Sequence, residues 1–579
     1  REQAEDEDGQ AAGSGGEGVG SKRKLASYGE QGHKHYVAWD PPVTNELPFA
    51  GHDTPFLPKW AGKAGAHLPA TFQDVRALSW FLLFFTNDMI SRVVEKSNAY
   101  VQRLRLPTSM PAGYKKTWPP AWVERWQPLT RREFLLWIAV LFAMTLTHKG
   151  PERTFWGQDW LYFRPAAGML MSRNRFLDIK RGLHLQDDSE GGGDGKPIKK
   201  VGVLLNMFLE RCNGPIYKVG QNLSLDEAML KFKGTSAFKY TRQAKPTREG
   251  LKMWVLCESK TGYVVAAMLD ERKGLTLHNM ILDLSEATRD QWRCIYMDNL
   301  FSSVDTFGAL LERKTYACGT CRAGRGLPSR CEKTGDKLRN QGDWVFARGK
   351  LPVPQNGGVE RGHILGAKWR DTGDCCMLST QHVGLHSKVL RHIKGKQGRH
   401  SVNTLDCYRD YNDFMGGVDL ADQKRAMLST RLRAYKWWHP VLYWMLDTAR
   451  INSLIVRNDS ADKYKIEPLS SREYIEELIV DLRQEALQSH VEDDFEAQQT
   501  RLLLAGRKDL ERLVGGHLMH FPEKQYVEKL KTCVVCSRDP RVNQSNYKTK
   551  EGCPKCGEVM HIECFEAWHT QQHPKSCKA

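Results

Sequence analysis

Four aspartates occur in patterns that could build a divalent-metal site. Asp226 and Asp298 each follow an apolar run typical of a buried strand, whereas Asp419 and Asp422 lie three residues apart where a helix is predicted to begin. Ionised carboxylates are costly to desolvate, so carboxylates that converge from distant segments usually hold divalent cations. Two such ions can drive phosphoryl transfer on nucleic acid. We expect Asp226 and Asp298 to hold two Mg²⁺ or Mn²⁺ ions and Asp419 to close the site.

Pairs of soft ligands near the C-terminus predict a second kind of metal site. Ligands separated by two residues suit tetrahedral Zn²⁺, and six clear ligands exceed one site, so we predict two zinc ions in a cross-brace. The first and third pairs would hold one ion. The second pair would hold the other with His569 and a fourth ligand, for which Cys577 and His573 both stay open. The pairs are Cys533 and Cys536, Cys553 and Cys556, and His561 and Cys564.

The elements around the first two aspartates follow the order β-β-β-α-β-α. Strands are predicted at 223–225, 251–257, 263–269 and 294–297, and helices at 275–284 and 304–311. This order matches the ribonuclease-H-like layout, in which the first and fourth strands are neighbours. Asp226 and Asp298 are therefore expected side by side. The Gly-rich, charged segment 323–401 is interpreted as an inserted small β-rich domain.

Helical periodicity flanks this unit on both sides. Apolar residues recur at helical spacing in 75–85, 132–144 and 203–212, and again from 419 to about 457 and from 470 to 515. These segments predict an all-α domain built from both flanks. Trp437, Trp438, Tyr443 and Trp444 are interpreted as its core.

The charge balance favours a polyanionic partner. The 579 residues include 85 Lys+Arg against 68 Asp+Glu, for a net charge of +17 and a pI near 9.1. No stretch reaches the roughly 18 apolar residues that span a bilayer, so no membrane partner is expected. Cysteines without disulfide-like rhythm indicate an intracellular protein. The basic cluster at residues 21–24 is either part of a nuclear localisation signal or a solvated cluster.

Two basic segments are candidate nucleic-acid surfaces. Residues 231–252 hold seven Lys/Arg against one acid, with Phe232, Phe238 and Tyr240 interleaved, so phosphate contacts and base stacking are predicted. The alternative is a solvated charged loop. Lys245 and Arg248 are the contacts selected from this segment. The second strip, for which a solvated loop is an equal alternative, contains Lys388, Arg391, Lys394, Lys396 and Arg399.

The chain resembles the piggyBac transposase family from about residue 70 to the C-terminus. The motifs that carry the resemblance are long and occur in the same order. They are Ser224-Leu225-Asp226-Glu227, Lys245-Pro246, Gly250-Leu251-Lys252, Met297-Asp298-Asn299-Leu300-Phe301-Ser302-Ser303, Gly319-Thr320-Cys321-Arg322, Tyr411-Asn412, Gly416-Gly417-Val418-Asp419, Asp422-Gln423 and Ala449-Arg450-Ile451-Asn452-Ser453.

This resemblance implies a DDE/DDD transposase with an RNase H-like catalytic domain. It implies cut-and-paste transposition at TTAA targets through hairpin-ended intermediates, with Asp226, Asp298 and Asp419 as the catalytic triad and Asp422 as a further required acid. Arg322 and Arg325 match positions near target DNA. The resemblance also implies a homodimer, and a cysteine-rich domain that binds the terminal inverted repeats of double-stranded transposon DNA. Action in the nucleus is expected.

The predicted fold is multidomain α/β, and its functional alternatives stay open. One alternative is a domesticated derivative that binds DNA without cleaving it. Another is a zinc-dependent chromatin or ubiquitin adaptor, because RING and PHD modules use similar ligand spacing. The predicted divisions are 1–45 (disordered tail), 46–220 (helical dimerisation and DNA-binding domain), 221–322 (catalytic domain), 323–401 (insertion domain), 402–428 (catalytic domain, second part), 429–515 (helical domain, second part), 516–530 (linker) and 531–579 (zinc module).

Overall fold

A computed structural model describes most of the chain between residues 37 and 568. The described residues are 37–44, 57–106, 110, 118–147, 152–156, 165–186, 200–241, 249–271, 275–351, 362–488, 528–538, 548–553, 558–561, 563–564 and 568. No helix in these ranges is both long enough and apolar enough to cross a membrane.

The elements are numbered along the chain. The strands are β1 (Ala38–Trp39), β2 (Val43–Thr44), β3 (Gly65–Ala66), β4 (Tyr217–Lys218), β5 (Asn222–Lys231), β6 (Lys239–Thr241), β7 (Glu249–Glu258), β8 (Val264–Leu269), β9 (Cys294–Met297), β10 (Tyr316–Thr320), β11 (Trp344–Leu351), β12 (Gly362–Arg370), β13 (Asp374–Ser379), β14 (His386–His392), β15 (Arg399–Leu405), β16 (Lys531–Thr532), β17 (Lys548–Thr549), β18 (Gly552–Cys553) and β19 (Glu558–Val559).

The helices are α1 (Ala77–Leu82), α2 (Asn87–Leu104), α3 (Ala121–Glu124), α4 (Arg131–Thr145), α5 (Pro165–Leu170), α6 (Arg173–Gly182), α7 (Gly202–Cys212), α8 (Leu277–Ser285), α9 (Val304–Glu312), α10 (Asp406–Phe414), α11 (Gly417–Met427), α12 (His439–Asp459), α13 (Ala461–Tyr464) and α14 (Ser471–Gln488).

One large mixed sheet organises the described part of the chain. Its strand order is β1-β11-β12-β13-β10-β9-β5-β7-β6, with β2 also paired to β11 and β8 to β7. The pairs β5–β9 and β9–β10 are parallel, whereas β5 pairs with β7 in the antiparallel direction. The expected mixed α/β architecture and the adjacency of the first and fourth strands are therefore confirmed.

Strand β5 is longer than its apolar run predicts. The parallel pairing with β9 ends at Leu225 opposite Met297, but the antiparallel pairing with β7 continues to Lys231 opposite Gly250. Asp226 therefore does not end its strand, as the sequence suggested. It lies in mid-strand, at the point where the parallel neighbour has ended.

The segment after β10 continues the sheet. β13 pairs with β10, and β12 and β11 follow in antiparallel order, while β14 and β15 form a separate hairpin. Residues 38–39 and 43–44 pair with β11, so the prediction of disorder through residue 45 is wrong for 37–44. Residues 1–36 lie outside the described ranges. The predicted domain boundaries otherwise stay predictions.

Helices from both flanks pack together. The Tyr474 hydroxyl on α14 donates to the Ala77 carbonyl of α1 at 3.0 Å, and the amide of Leu78 donates to the Asp481 carboxylate at 3.0 Å. Arg131, at the start of α4, pairs with Glu485 on α14 at 3.3 Å. Tyr443 and Trp444 are buried and Trp437 and Trp438 are half-buried in this core, as predicted. The role of these helices in dimerisation stays a prediction.

Candidate active site and metal cluster

Asp226 and Asp298 follow paired positions on neighbouring parallel strands. Leu225 is opposite Met297 in the register of β5 and β9, so the next residue on each chain is an aspartate. The carboxyl ends of parallel strands meet at one edge of a sheet, where side chains can converge. Asp226 is half-buried and Asp298 is exposed. The sequence-predicted adjacency is thus present.

The turn after β9 is held by the end of β10. The Asp298 carboxylate accepts hydrogen bonds from the Asn299 amide at 2.6 Å and from the Thr320 hydroxyl at 3.1 Å. Arg322 donates through Nε to the Asn299 side chain at 2.8 Å. β10 can approach β9 closely because residue 319 is a glycine. A Cβ at this position would lie 2.4 Å from the Met297 carbonyl oxygen. Arg322, a predicted DNA contact, is exposed and lies beside the Asp298 turn.

Helix α11 approaches β5 through a glycine. A Cβ on Gly417 would lie 2.5 Å from Ser224 Oγ and 2.8 Å from both the Glu258 carbonyl oxygen and Ser259 Cα. The Val418 amide donates to Ser224 Oγ at 3.1 Å, so a β5 side chain satisfies one of the free amides at the start of the helix. Asp419 lies in the first turn of α11, one residue after this contact.

Asp226, Asp419 and Asp422 line a common cavity of about 570 Å³. Asp422 pairs with Arg425 one turn later on α11, and the Arg425 guanidinium lies 5.5 Å from the centre of the Trp444 ring. This cavity, which we call the catalytic cavity, is bounded by β5, α11 and the start of α12. Asp298 lies on the β9 side of Asp226 and is not part of its lining.

Side chains of helix α12 hold the end of α11 and strand β8 by hydrogen bonds. Arg450 is fully buried and donates to the carbonyl oxygens of Lys424 and Leu428 at 3.3 and 3.4 Å, near the end of α11. Asn452 bonds both the amide and the carbonyl of Val264 on β8, at 3.0 and 2.9 Å. In the sequence, Arg450 and Asn452 belong to the Ala449–Ser453 motif, and this packing role was not predicted from it. The signal was polar side chains inside an apolar helix.

Burial opposes the charges of a neighbouring pair on α12. It raises the pKa of the Asp447 carboxyl and lowers the pKa of the Arg450 guanidinium. Asp447 accepts from the Thr430 amide at 3.0 Å and from the Ser429 hydroxyl at 3.1 Å. The pair therefore fastens the segment that follows α11 to α12.

The carboxylates of Asp226, Asp298 and Asp419 are chemically suited to Mg²⁺. Hard carboxylate oxygens are its preferred protein ligands, and within the described ranges no Lys or Arg forms an ion pair with Asp298 or Asp419. The three carboxylates are farther apart than the ligands of one compact ion site, because the one described cluster with all ligand atoms within 4.8 Å is the C-terminal Cys/His group. The carboxylates of Asp298 and Asp419 are therefore open to divalent cations.

Part of the predicted basic surface is structural. Phe232 and Phe238 are buried, and Phe238 packs against Trp437 with ring centres 5.3 Å apart, so they cannot stack on bases as proposed. Lys252 is also buried, between Glu227 at 3.6 Å and Asp270 at 3.3 Å, and lies 3.5 Å from the Trp254 ring centre. The Lys252 charge is therefore paired within the sheet and is not available to a DNA phosphate.

The other predicted DNA contacts are divided between exposed and undescribed positions. Arg325 is exposed in the turn after β10, where its carbonyl accepts from the Val304 amide at 3.1 Å. Lys245 and Arg248 lie outside the described residues, as do Cys556, His569, His573 and Cys577 of the predicted second zinc site. The side chain of Cys553 is likewise not described.

The first predicted zinc site is assembled. The ligand atoms of Cys533, Cys536, His561 and Cys564 all lie within 4.8 Å of one another, and all four residues are buried. Cys536 Sγ lies 3.3 Å from His561 Nδ1 and 3.8 Å from Cys564 Sγ. Hydrogen bonding from Cys564 lowers the pKa of the Cys533 thiol, which favours the thiolate. The donor set fits Zn²⁺, and the pairing of the first and third motifs is as predicted.

Comparison with known proteins gives one consistent result. The family model described as Transposase IS4 matches residues 76–454. The human PiggyBac transposable element-derived protein 3 is 23% identical over 464 residues, covering 76% of this chain and 71% of that protein. The human PiggyBac transposable element-derived protein 2 is 22% identical over 512 residues, covering 86% and 77%.

A solved structure has the same fold over most of the chain. It is the cryo-EM structure of the piggyBac transposase synaptic complex with hairpin DNA, with a TM-score of 0.59 and 22% identity over 75% of this chain and 85% of that one. The family match covers both strands that carry the paired aspartates and the helix that carries the other two. The chain therefore belongs to the Transposase IS4 family and is a relative of the piggyBac transposases.

Proposed function

We propose that this protein is a metal-dependent DNA transposase that cuts and joins DNA strands at TTAA sites through hairpin-ended intermediates. The observation that carries the proposal is the register of β5 and β9, which brings Asp226 beside Asp298, with Asp419 delivered to the same edge by α11. All four acids of the predicted set are present. A family member that had lost cleavage would be expected to have lost one of them.

The acids divide the work by position. Asp226 and Asp298 would hold Mg²⁺ or Mn²⁺ from the sheet, and Asp419 from the helix. When bound, two such ions activate the attacking oxygen and stabilise the leaving oxygen. The Asn299 amide and the Thr320 hydroxyl orient the Asp298 carboxylate, and Arg425 orients Asp422. Water would attack first, and the freed 3′-hydroxyl would then attack the opposite strand.

Strand cleavage on TTAA-flanked DNA tests this function. The wild-type chain with Mg²⁺ is expected to nick such DNA and to produce hairpin ends, which denaturing gels resolve. Binding without any nicking would support the alternative, a transposase-derived protein that only binds DNA. We also propose that the substrate is double-stranded DNA, that the protein acts as a homodimer, and that it acts in the nucleus.

The C-terminal module is proposed to hold zinc and to bind transposon ends. A short segment with few buried apolar groups gains much of its folding free energy from the metal. Its described apolar core consists of the three cysteine ligands Cys533, Cys536 and Cys564 with Val535, Met560 and Trp568. Two zinc ions per chain are expected, the second bound by Cys553, Cys556, His569 and either Cys577 or His573.

Removing one ligand should remove one zinc ion. Cys564→Ser is expected to reduce the zinc content of the full chain by about one equivalent and to unfold the module, because structural zinc contributes on the order of 10 kcal/mol. Mass spectrometry of the metal content checks this. Cys375→Ser, which changes a half-buried thiol far from the cluster in sequence, is the control and should leave zinc unchanged. Unchanged zinc in Cys564→Ser would contradict the assignment.

The β14–β15 hairpin is proposed as a track for the DNA backbone. Residues 386–405 contain five Lys/Arg and no Asp or Glu. Lys388, Lys394, Lys396 and Arg399 are exposed, whereas Arg391 is bound to Asp371 at 3.0 Å. Lys388 and Arg399 lie on the paired strands, and Lys394 and Lys396 lie in the turn that joins them, so one hairpin carries all four exposed cations. Phosphate neutralisation releases counterions and makes binding salt-dependent.

Neutralising the hairpin should weaken DNA binding in a salt-dependent manner. The triple change Lys388→Gln, Lys394→Gln and Lys396→Gln is expected to reduce the slope of log K against log salt by about 2 to 3. Titrations of duplex DNA at several salt concentrations measure it. The matched control removes the same charge from exposed Lys59, Lys463 and Lys465. Equal slopes for both triple variants would mean that net charge, not the hairpin, drives binding.

A further inference from the structure

A second cavity is lined in part by the same chain segment as the catalytic cavity. It has a volume of about 400 Å³, and we call it the loop cavity. Residues 428–438, which join α11 to α12, contribute to the lining of both cavities. Arg431 and Pro440 line the catalytic cavity, whereas Arg433, Tyr435 and His439 line the loop cavity. The segment that bounds the catalytic cavity therefore continues along the chain into the lining of the loop cavity.

The loop cavity combines aromatic surfaces with cations. Tyr100, Trp122 and Tyr435 contribute rings, and the Tyr435 side chain is 78% exposed at the rim. The Arg433 guanidinium lies 5.4 Å from the Tyr435 ring centre. Lys436 lies 4.5 Å from the Tyr100 ring centre. Planar rings beside cations suit a ligand with a π-face and a negative charge.

The cations of this cavity are only partly compensated. The one acid in its lining, Glu152, pairs with Lys180 at 2.5 Å. The Lys436 ammonium donates to the carbonyl oxygens of Arg181 and Leu183, at 2.6 and 3.2 Å, which are neutral groups. Burial, with Lys200 nearby, lowers its pKa to about 7. A phosphate would supply the counter-charge that the described lining lacks.

A buried histidine is left without hydrogen bonds. His439 is 4% exposed and lies in the lining, and neither ring nitrogen has a partner in the described part of the chain. Its packing contacts are the Trp438 and Tyr443 rings. An unsatisfied buried donor or acceptor is costly unless a ligand satisfies it. The edge of a nucleobase offers both kinds of group.

We propose that the loop cavity binds one unstacked nucleotide of the DNA strand that is being cut. The base would stack against Tyr435, its edge would bond His439, and its phosphate would lie between Arg433 and Lys436. Such a site would help to separate the strands, because the extruded base recovers inside the protein part of the stacking that it loses in the duplex. This inference rests on the proposed function, since it requires that DNA occupy the catalytic cavity.

The test compares two DNA molecules without added divalent cation. One is a paired duplex containing TTAA, and the other is the same duplex with a single unpaired adenine beside the TTAA. Wild-type full-length chain is expected to bind the second about ten-fold more tightly, within the range of stacking on one aromatic residue. Tyr435→Ala should bring this ratio near one. Tyr435→Phe, which keeps the ring, and Val480→Ala, at an exposed position on α14, should retain it.

A fluorescent base gives an independent reading. With 2-aminopurine at the unpaired position, wild type is expected to quench the emission by stacking, and Tyr435→Ala is not. A wild-type ratio near one, or an unchanged ratio and unchanged quenching in Tyr435→Ala, would overturn the nucleotide site while leaving the transposase proposal intact. Failure of wild type to bind either DNA would overturn the proposed function, and this inference with it.

Discussion

Asp298→Asn is expected to lower DNA strand cleavage on the order of 10³-fold or more, as loss of a metal-bridging carboxylate removes transition-state stabilisation. The asparagine Oδ1 can still accept from the Asn299 amide and the Thr320 hydroxyl, so the turn after β9 should keep its shape. The side chain is exposed, and no described cation is paired with it. Stability and DNA binding should therefore stay near wild type. Cleavage in Mg²⁺ and DNA affinity are measured in parallel.

The control for this prediction is another exposed aspartate of the same domain. Asp283→Asn on α8 removes the same charge away from the sheet edge and is expected to cleave like wild type. Equal cleavage by wild type and Asp298→Asn would refute the metal assignment. Loss of DNA binding together with cleavage in Asp298→Asn would instead mean that Asp298 acts in binding or folding.

Local pattern was sufficient to predict the order of strands and helices around Asp226 and Asp298, and the ribonuclease-H-like layout predicted that β5 and β9 are neighbours. The apolar runs before Asp226 and Asp298 indicated buried strands, and both are buried on the parallel side of the sheet. The pattern failed for residues 226–231, where polar and charged side chains interrupt the run. These residues stay in the strand because β7 pairs with β5 as far as Lys231. Periodicity within one segment does not show which strand that segment pairs with.

Tertiary contacts also explain the other differences. Phe232 and Phe238 resemble an aromatic and basic nucleic-acid surface in sequence, but the helical core covers them. Residues 38–39 and 43–44 follow a polar stretch and form strands only because β11 offers a free edge. Conversely, ligand spacing predicted the Cys533, Cys536, His561 and Cys564 cluster, because two ligands separated by two residues can bind the same tetrahedral ion.

Gly417→Ala is expected to lower cleavage about 100-fold, because displacement of catalytic groups by about an ångström can have that effect. The added methyl would lie within 2.8 Å of the Glu258 carbonyl oxygen and Ser259 Cα, and backbone at the end of β7 cannot move cheaply. It would also meet Ser224 Oγ, which holds the Val418 amide. Helix α11 should therefore move away from β5 and carry Asp419 and Asp422 with it.

The adjacent glycine provides a matched control. Gly416 has no atom within 4 Å of an added Cβ, and its φ of −88° suits any residue. Gly416→Ala should therefore cleave like wild type, whereas Gly417→Ala should also lose about 1 to 3 kcal/mol of stability through overpacking. Thermal melts and cleavage rates of the two variants measure both effects. Equal cleavage by both variants would show that contact between α11 and β5 does not set the position of the acids. A melt lowered by Gly417→Ala without lost cleavage would limit the contact to a structural role.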